Sequence, residues 1–276
     1  MMAHPSNQRG FTLLEMVMVI VIMGVIAATV AVFMKRPVDA YFDGARRAAL
    51  TDVADTAVRR MARDIRKALP NSLRNPSNQC VEFIPTRTGA RYRADIDAGV
   101  AGNQSAAVLD FTAADTSFNM FGANNTWPAD QRIRAGDLVA VYNLGITGAD
   151  AYAGDNTSTV TAVASGVEST ITIAPKQFPL ASASNRFHVI PGDEKIVSYV
   201  CSGGQLLRSA NHAYASSCPT SGATVALLAN NVASCNFVYN GSDLQRNAQV
   251  QMTITLTDAS GESVNLYHEV HVSNTP

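Results

Sequence analysis

The sequence predicts an α+β protein: one long kinked N-terminal helix, first membrane-spanning and then amphipathic, packed on a mostly antiparallel β-sheet domain. Two observations carry this. From Phe11 to Met34 every residue is apolar or small except Glu15, and past Pro37 apolar residues recur at helical spacing as far as Leu69. From residue 75 onward, short runs rich in β-branched and aromatic residues alternate with Gly-, Asn- and Asp-containing turns, the pattern of antiparallel strands.

Residues 1–10 read as a leader, outside the fold. The helix is expected over residues 11–69, with residues 11–34 as the transmembrane part. That run holds 24 residues, and a bilayer core of about 30 Å needs about 20 apolar residues in a helix. A carboxylate inside such a span is costly, so Glu15 marks function rather than packing. Gly24, Ala27, Ala28 and Ala31 are small residues at three- and four-residue steps, a face that lets membrane helices approach closely. Pro37 removes a helical hydrogen bond and predicts a kink. Beyond it Val38, Tyr41, Phe42, Ala45, Ala49, Val53, Ala57, Met61, Ile65 and Leu69 form an apolar stripe, expected to lie on the sheet. Asp43–Arg47 and Asp55–Arg59 are acid-first pairs, each worth a few tenths of a kcal/mol. Pro70-Asn71 and Pro76 then stop the helix.

The β-rich domain is expected over residues 75–276, with strands at Cys80–Ile84, Ala106–Thr112, Asp137–Asn143, Ser158–Ala164, Ser169–Ala174, Arg186–Ile190 and Lys195–Cys201. Further strands are expected at Gln205–Ser209, Val225–Leu228, Val232–Tyr239, Ala248–Thr257 and Ser263–Val272. The clean alternation from Gln249 to Leu256 implies a strand with one wet face. Gly203-Gly204 signals a tight hairpin. Asp258-Ala259-Ser260-Gly261 and Asn240-Gly241-Ser242-Asp243 signal turns. Gly99–Gln131 and Gly145–Asn156 read as loops.

Charge is uneven along the chain. Lys35–Arg74 carries ten basic and five acidic residues, and Asn75–Pro276 ten basic and sixteen acidic. An acidic body argues against nucleic-acid binding, which draws its affinity from phosphate neutralisation. Charge does not orient the span, because Arg9 precedes it and Lys35 and Arg36 follow it. All four cysteines, Cys80, Cys201, Cys218 and Cys235, lie after the span, and two disulfides are the expectation for an extracytoplasmic body. Of three pairings the expected one is Cys201–Cys218, closing a local loop, with Cys80–Cys235. A zinc site would need the close cysteine spacing that is absent here.

The segment Arg9-Gly10-Phe11-Thr12-Leu13-Leu14-Glu15, opening a long apolar helix, resembles the processing signal of prepilins, which build type IV pili and type II secretion pseudopili. The resemblance implies cleavage between Gly10 and Phe11 by a membrane-embedded peptidase that then N-methylates Phe11. It also implies that Glu15 neutralises the N-terminal amine of a neighbouring subunit, since a charge withdrawn from water needs a partner. Downstream, Asp43–Ala48, Ala54–Arg66, Ala68–Ser72, Ser198–Cys201, Leu227–Ala229, Cys235–Tyr239 and Leu266–Val272 resemble minor pilins of the mannose-sensitive haemagglutinin (MSHA) pilus. The likeness to the minor pseudopilin J and to PilW-type minor pilins is more distant. The implied role is non-catalytic: a subunit held in the bacterial inner membrane with its body in the periplasm, joined to other minor and major pilins and to the inner-membrane assembly platform. It then enters a pilus or pseudopilus filament. Neither cofactor nor metal is implied.

The remaining chemistry-bearing residues point nowhere sharper. His268 and His271 are three apart on one strand and so face opposite sides. His188 and His212 are isolated. The Asp150–Asn156 loop lacks the spaced acids of a helix–loop–helix calcium site. Trp127 stands alone in a loop and is expected to pack into its own domain.

Overall fold

The computed structural model describes residues 10–96, 107–211, 218–220, 224–241 and 247–276. The chain divides into two compact units, Met1–Ala49 and Leu50–Pro276.

Helix α1 (Leu13–Ile65) begins in the first unit and runs through Pro37 as one element. Every residue from Gly10 to Ala49 is exposed, including Val38, Tyr41, Phe42, Ala45 and Ala49 of the expected stripe. Burial starts at Leu50 and continues through Ala54, Ala57, Val58, Met61, Ala62 and Ile65. The packed face is therefore a rotated version of the expected one: Ala57, Met61 and Ile65 belong to it, whereas Val53 is 41% exposed. The helix ends at Ile65, short of Leu69. Lys67 and Ala68 donate to Asp64 and Ile65, tightening the last turn, and Leu69 N–H then donates to Ile84 across to the sheet at 2.7 Å, so the orphan groups of the terminus are satisfied.

Among the described residues the second unit contains fourteen strands in three antiparallel sheets. They are β1 (Arg74–Ser77), β2 (Cys80–Phe83), β3 (Thr88–Arg91), β4 (Asp115–Phe121), β5 (Leu138–Val141), β6 (Thr157–Ala164) and β7 (Glu168–Lys176). Then come β8 (Arg186–Ile190), β9 (Val197–Ser202), β10 (Gln205–Ala210), β11 (Thr224–Ala229), β12 (Val232–Asn240), β13 (Asn247–Thr257) and β14 (Ser263–Ser273). One sheet has the order β1-β2-β9-β10-β11, a second β12-β13-β14, and a third β3-β8-β5-β6-β7-β4. The unexpected strands β1 and β3 are short. Pro76 sits in β1, which is an edge where its missing N–H costs no ladder bond.

The stripe of α1 shares one core with Phe83, Val197, Tyr199 and Leu206 of the first sheet and Phe237, Val250, Met252 and Ile254 of the second. Burying each large side chain of this set contributes about 1.5–3 kcal/mol. The alternation of β13 holds as expected: Val250, Met252, Ile254 and Leu256 are buried while Gln249, Gln251, Thr253 and Thr255 are only half-buried.

Residues between β2 and β9 form the third sheet, with a core of its own around Phe118, Met120, Val139, Ile171 and Phe187. Phe83 pairs with Val197, so the chain leaves the first sheet at β2 and returns beside its point of departure. The two edges of this inserted sheet meet. Tyr92 bridges Met120, and Arg93 N–H donates to Asn119 at 2.8 Å. The six strands thereby close at this point into a small barrel, joined at one bridge rather than along a full ladder. The strand expected at Ala106–Thr112 is not one. Ala107 and Leu109 instead bond to Asn119 and Arg93 at the seam, and the strand lies later, at β4, inside what read as the Gly99–Gln131 loop. Trp127 packs on the barrel core, as expected.

The disulfides are Cys80–Cys218 and Cys201–Cys235, correcting the expected pairing. Cys80 is opposite Val200 in register, so it shares that residue's face of the sheet, and Cys201 points to the other. Only Cys201 faces the core that holds Cys235. Strand alternation, not loop length, decides the partners. Gly203 and Gly204 both have positive φ, as a two-residue hairpin requires. Asp258 accepts the N–H groups of Ser260 and Glu262 in the predicted turn. His212, Ser242 and Asp243 fall outside the described residues.

Candidate functional site

The residues singled out at the N-terminus stand together on the first turn of α1. Gly10 and Phe11 precede the helix and are exposed, Phe11 to 82%. A Cβ built on Gly10 meets nothing within 4 Å, so no contact within the described chain requires glycine there. Any such requirement comes from outside. Thr12 and Glu15 form a reciprocal pair. Glu15 N–H donates to Thr12 Oγ1 at 3.3 Å, and Thr12 N–H lies 3.4 Å from Glu15 Oε2. This is a capping box, which satisfies helix-end donors and sets a carboxylate against the positive end of the helix dipole. Sequence reasoning missed it, although Thr-x-x-Glu before an apolar run is its signature.

Beyond this turn the helix is apolar on every side, and its side chains through Met34 are uncovered. By length and composition it is the one helix among the described residues able to cross a membrane. A helix greasy all round needs lipid or protein about it.

In the body, the end of α1 is pinned to the first sheet by charge. Tyr199 donates to Asp64 Oδ2 at 2.6 Å, and Arg208 reaches Asp64 at 3.0 Å and Glu194 at 2.6 Å. Burial and the adjacent Asp64 carboxylate push the Tyr199 phenol far above its ordinary range. Asp64, Glu194 and Arg208 line a cleft of about 510 Å³ together with Lys67 and Arg87. Arg208 is committed to Asp64 and Glu194, and Arg87 to Asp137 and Asp193, so the wall is a set of mutual ion pairs that holds the helix end.

At the barrel seam Arg93 pairs with Glu168 and lies over the Phe121 ring at 5.1 Å. His188 is half-buried on β8, opposite Gly89. Burial, helped by the positive charge of Arg186, lowers its pKa to about 4. His268 turns toward the core side of β14 with Val270 and Val272, whereas His271 is exposed on the other side, as their spacing implied. Among the described residues no three His, Cys, Asp or Glu side chains converge to hold a metal. In the Asp150–Asn156 loop Asp155 accepts the N–H groups of Gly148 and Asp150.

Residues 5–31 match the family model for the prokaryotic N-terminal methylation motif. Comparison with curated proteins and with solved structures yields no match. The matched motif is that of type IV pilin-like prepilins, structural subunits that are generally not enzymes. It implies processing by a prepilin peptidase, assembly with other pilins and membrane anchoring through the apolar helix.

Proposed function

We propose that this chain is a non-catalytic minor pilin of an MSHA-type IV pilus, resembling MshO, that takes part in initiating assembly and in the tip complex. Peptidase cleavage between Gly10 and Phe11 and methylation of Phe11 produce the mature subunit. The apolar helix holds it in the inner membrane with its body in the periplasm until it enters the filament. Glu15 then meets the amine of a neighbour's first residue.

The observation that carries the prepilin part of this reading is the spacing of Gly10, Phe11 and Glu15 at the mouth of an uncovered apolar helix, and the minor-pilin part rests on the downstream resemblance. The body supports a partner-selecting role. The barrel inserted between β2 and β9 enlarges the head without breaking the sheet that receives the helix. A minor pseudopilin of type II secretion, J-like, is the alternative. A tip adhesin is favoured by one observation: the barrel presents Phe121 and Val167, 48% and 95% exposed. A clean deletion, scored for surface pili and for secreted hydrolases in one strain, tests the assignment. Lost pili with normal secretion is the expected result. Normal pili with enzymes retained in the periplasm assigns the chain to a pseudopilus, and no change in either leaves a tip adhesin or a redundant subunit, which binding assays separate.

A further inference from the structure

Strand β14 is an outer edge of its sheet, paired through all eleven residues with β13 on one side. Beside it runs a groove of about 380 Å³ lined by Asp55, Arg59, Ala62, Arg63, Arg66 and His268. Arg59 and Arg63 stand one turn apart on α1, and Arg66 follows in the turn that closes it and lines the same groove. Arg59 holds Asp55 at 2.6 Å, while no ion pair engages Arg63 or Arg66 among the described residues. His268 Nε2 is buried without a hydrogen-bond partner.

An open edge eleven residues long is a template for another strand, and here a row of cations flanks it. We propose that β14 and this groove form the docking site for an extended acidic segment of a different subunit, which adds to β14 as a further strand. Acids at alternate positions of such a strand recur about every 6.7 Å. Arg59 and Arg63 step about 6 Å along the helix and Arg66 lines the same groove, close enough for successive carboxylates to meet the arginines. Among the described residues, the open strand edges of the chain do not supply this segment. Edge strands β1 and β11 carry no acid, and β14 carries only Glu269. Joining two copies at β14 would set one cationic groove against another. The identity of the partner as a subunit rests on the assembly role proposed above; the edge and the groove stand without it.

The test uses the full chain in detergent micelles and a synthetic peptide alternating Glu with Val. The expected result is saturable binding by fluorescence anisotropy, with slowed amide exchange in β14 and at least about a tenfold loss in Arg63→Glu/Arg66→Glu. Both positions are solvent-exposed, and an unchanged melting temperature keeps that variant interpretable. The same peptide N-methylated at alternate amides should not bind. Equal binding of the methylated peptide, or binding without protection of β14, overturns strand addition. Failure of the acidic peptide to bind at all overturns the site without touching the processing reading. Self-association abolished by the same charge reversal would assign the edge to a second copy instead. Binding to phosphatidylglycerol vesicles but not to the peptide would assign the arginines to lipid.

Discussion

Asn71 donates a hydrogen bond to Asn143, and Asn143 donates one back to the neighbouring Pro70. Asn71 Nδ2 donates to the Asn143 carbonyl at 2.9 Å, and Asn143 Nδ2 donates to the carbonyl of Pro70 at 2.7 Å. The first lies in the turn after α1 and the second just past β5, so this pair ties the barrel to the helix end. Asn143 also accepts from Ala151 N–H at 2.8 Å. Asn143→Leu strands buried groups on both sides of the junction and should cost about 2–4 kcal/mol. Urea unfolding measures this, and a change below about 0.5 kcal/mol would show that the clamp is dispensable.

Gly10→Val should leave an uncut precursor in membranes, read as a larger band by immunoblot. A side chain at position 10 meets no atom of the described residues within 4 Å, so the substitution leaves the folded body alone, and a processing defect reports on the peptidase. Mature-sized protein at normal abundance would count against the cleavage reading.

Glu15 has two separable roles, capping its own helix and offering a charge to a neighbour. Gln keeps the capping box while removing the charge. Glu15→Gln and Glu15→Val should therefore both be cleaved normally and both fail to support filaments. Filaments restored by Gln alone would reduce Glu15 to a capping residue.

His188 gives the body a pH dependence. Its folded pKa, about 4, lies below the unfolded value of 6.5, so between these values the unfolded chain binds more protons. The contribution of the neutral, buried ring is present above pH 6.5 and is lost as pH falls toward 4. Chemical denaturation should show about 1–2 kcal/mol of stability lost across that window, and His188→Gln should flatten most of it. An unchanged slope in the variant would place the acid sensitivity elsewhere.

Peptide mapping without reduction should recover Cys80–Cys218 and Cys201–Cys235. The bonds span 138 and 34 residues, and losing either one should cost about 3–5 kcal/mol. Recovery of Cys201–Cys218 would contradict the face assignment of β9.

Much of the body was legible because its signals are local. The 3.6-residue period of Ala57, Met61 and Ile65, the alternation of β13 and the paired glycines at 203–204 each predict their own structure. What escaped depends on residues far apart. The pairing of Cys201 turns on the strand parity of β9 against β12. The barrel exists because Tyr92 finds Met120. The rotation of the helix stripe toward Leu50 and Ala54 was set by the sheets, for small alanines allow close approach whereas Tyr41 and Phe42 carry the stronger hydrophobic signal. At the N-terminus, the residues of the processing motif were plain, while the Thr12–Glu15 pair was concealed by attention to charge.

The pairing of Phe83 with Val197 also orders events in time. Closing about 110 residues of slack chain is entropically costly, and contacts this distant in sequence slow folding. Thr88 and Val189 pair just inside that junction, so a barrel that folds first brings β2 and β9 together and leaves only short ends to join. The helix that emerges first thus waits longest: the strands that cover Met61 and Ile65 are completed only after the barrel has been synthesised. The insertion thereby acts in folding as well as at the head, and damage to it should appear first as slow maturation of the core beneath the helix, to which it contributes no side chain.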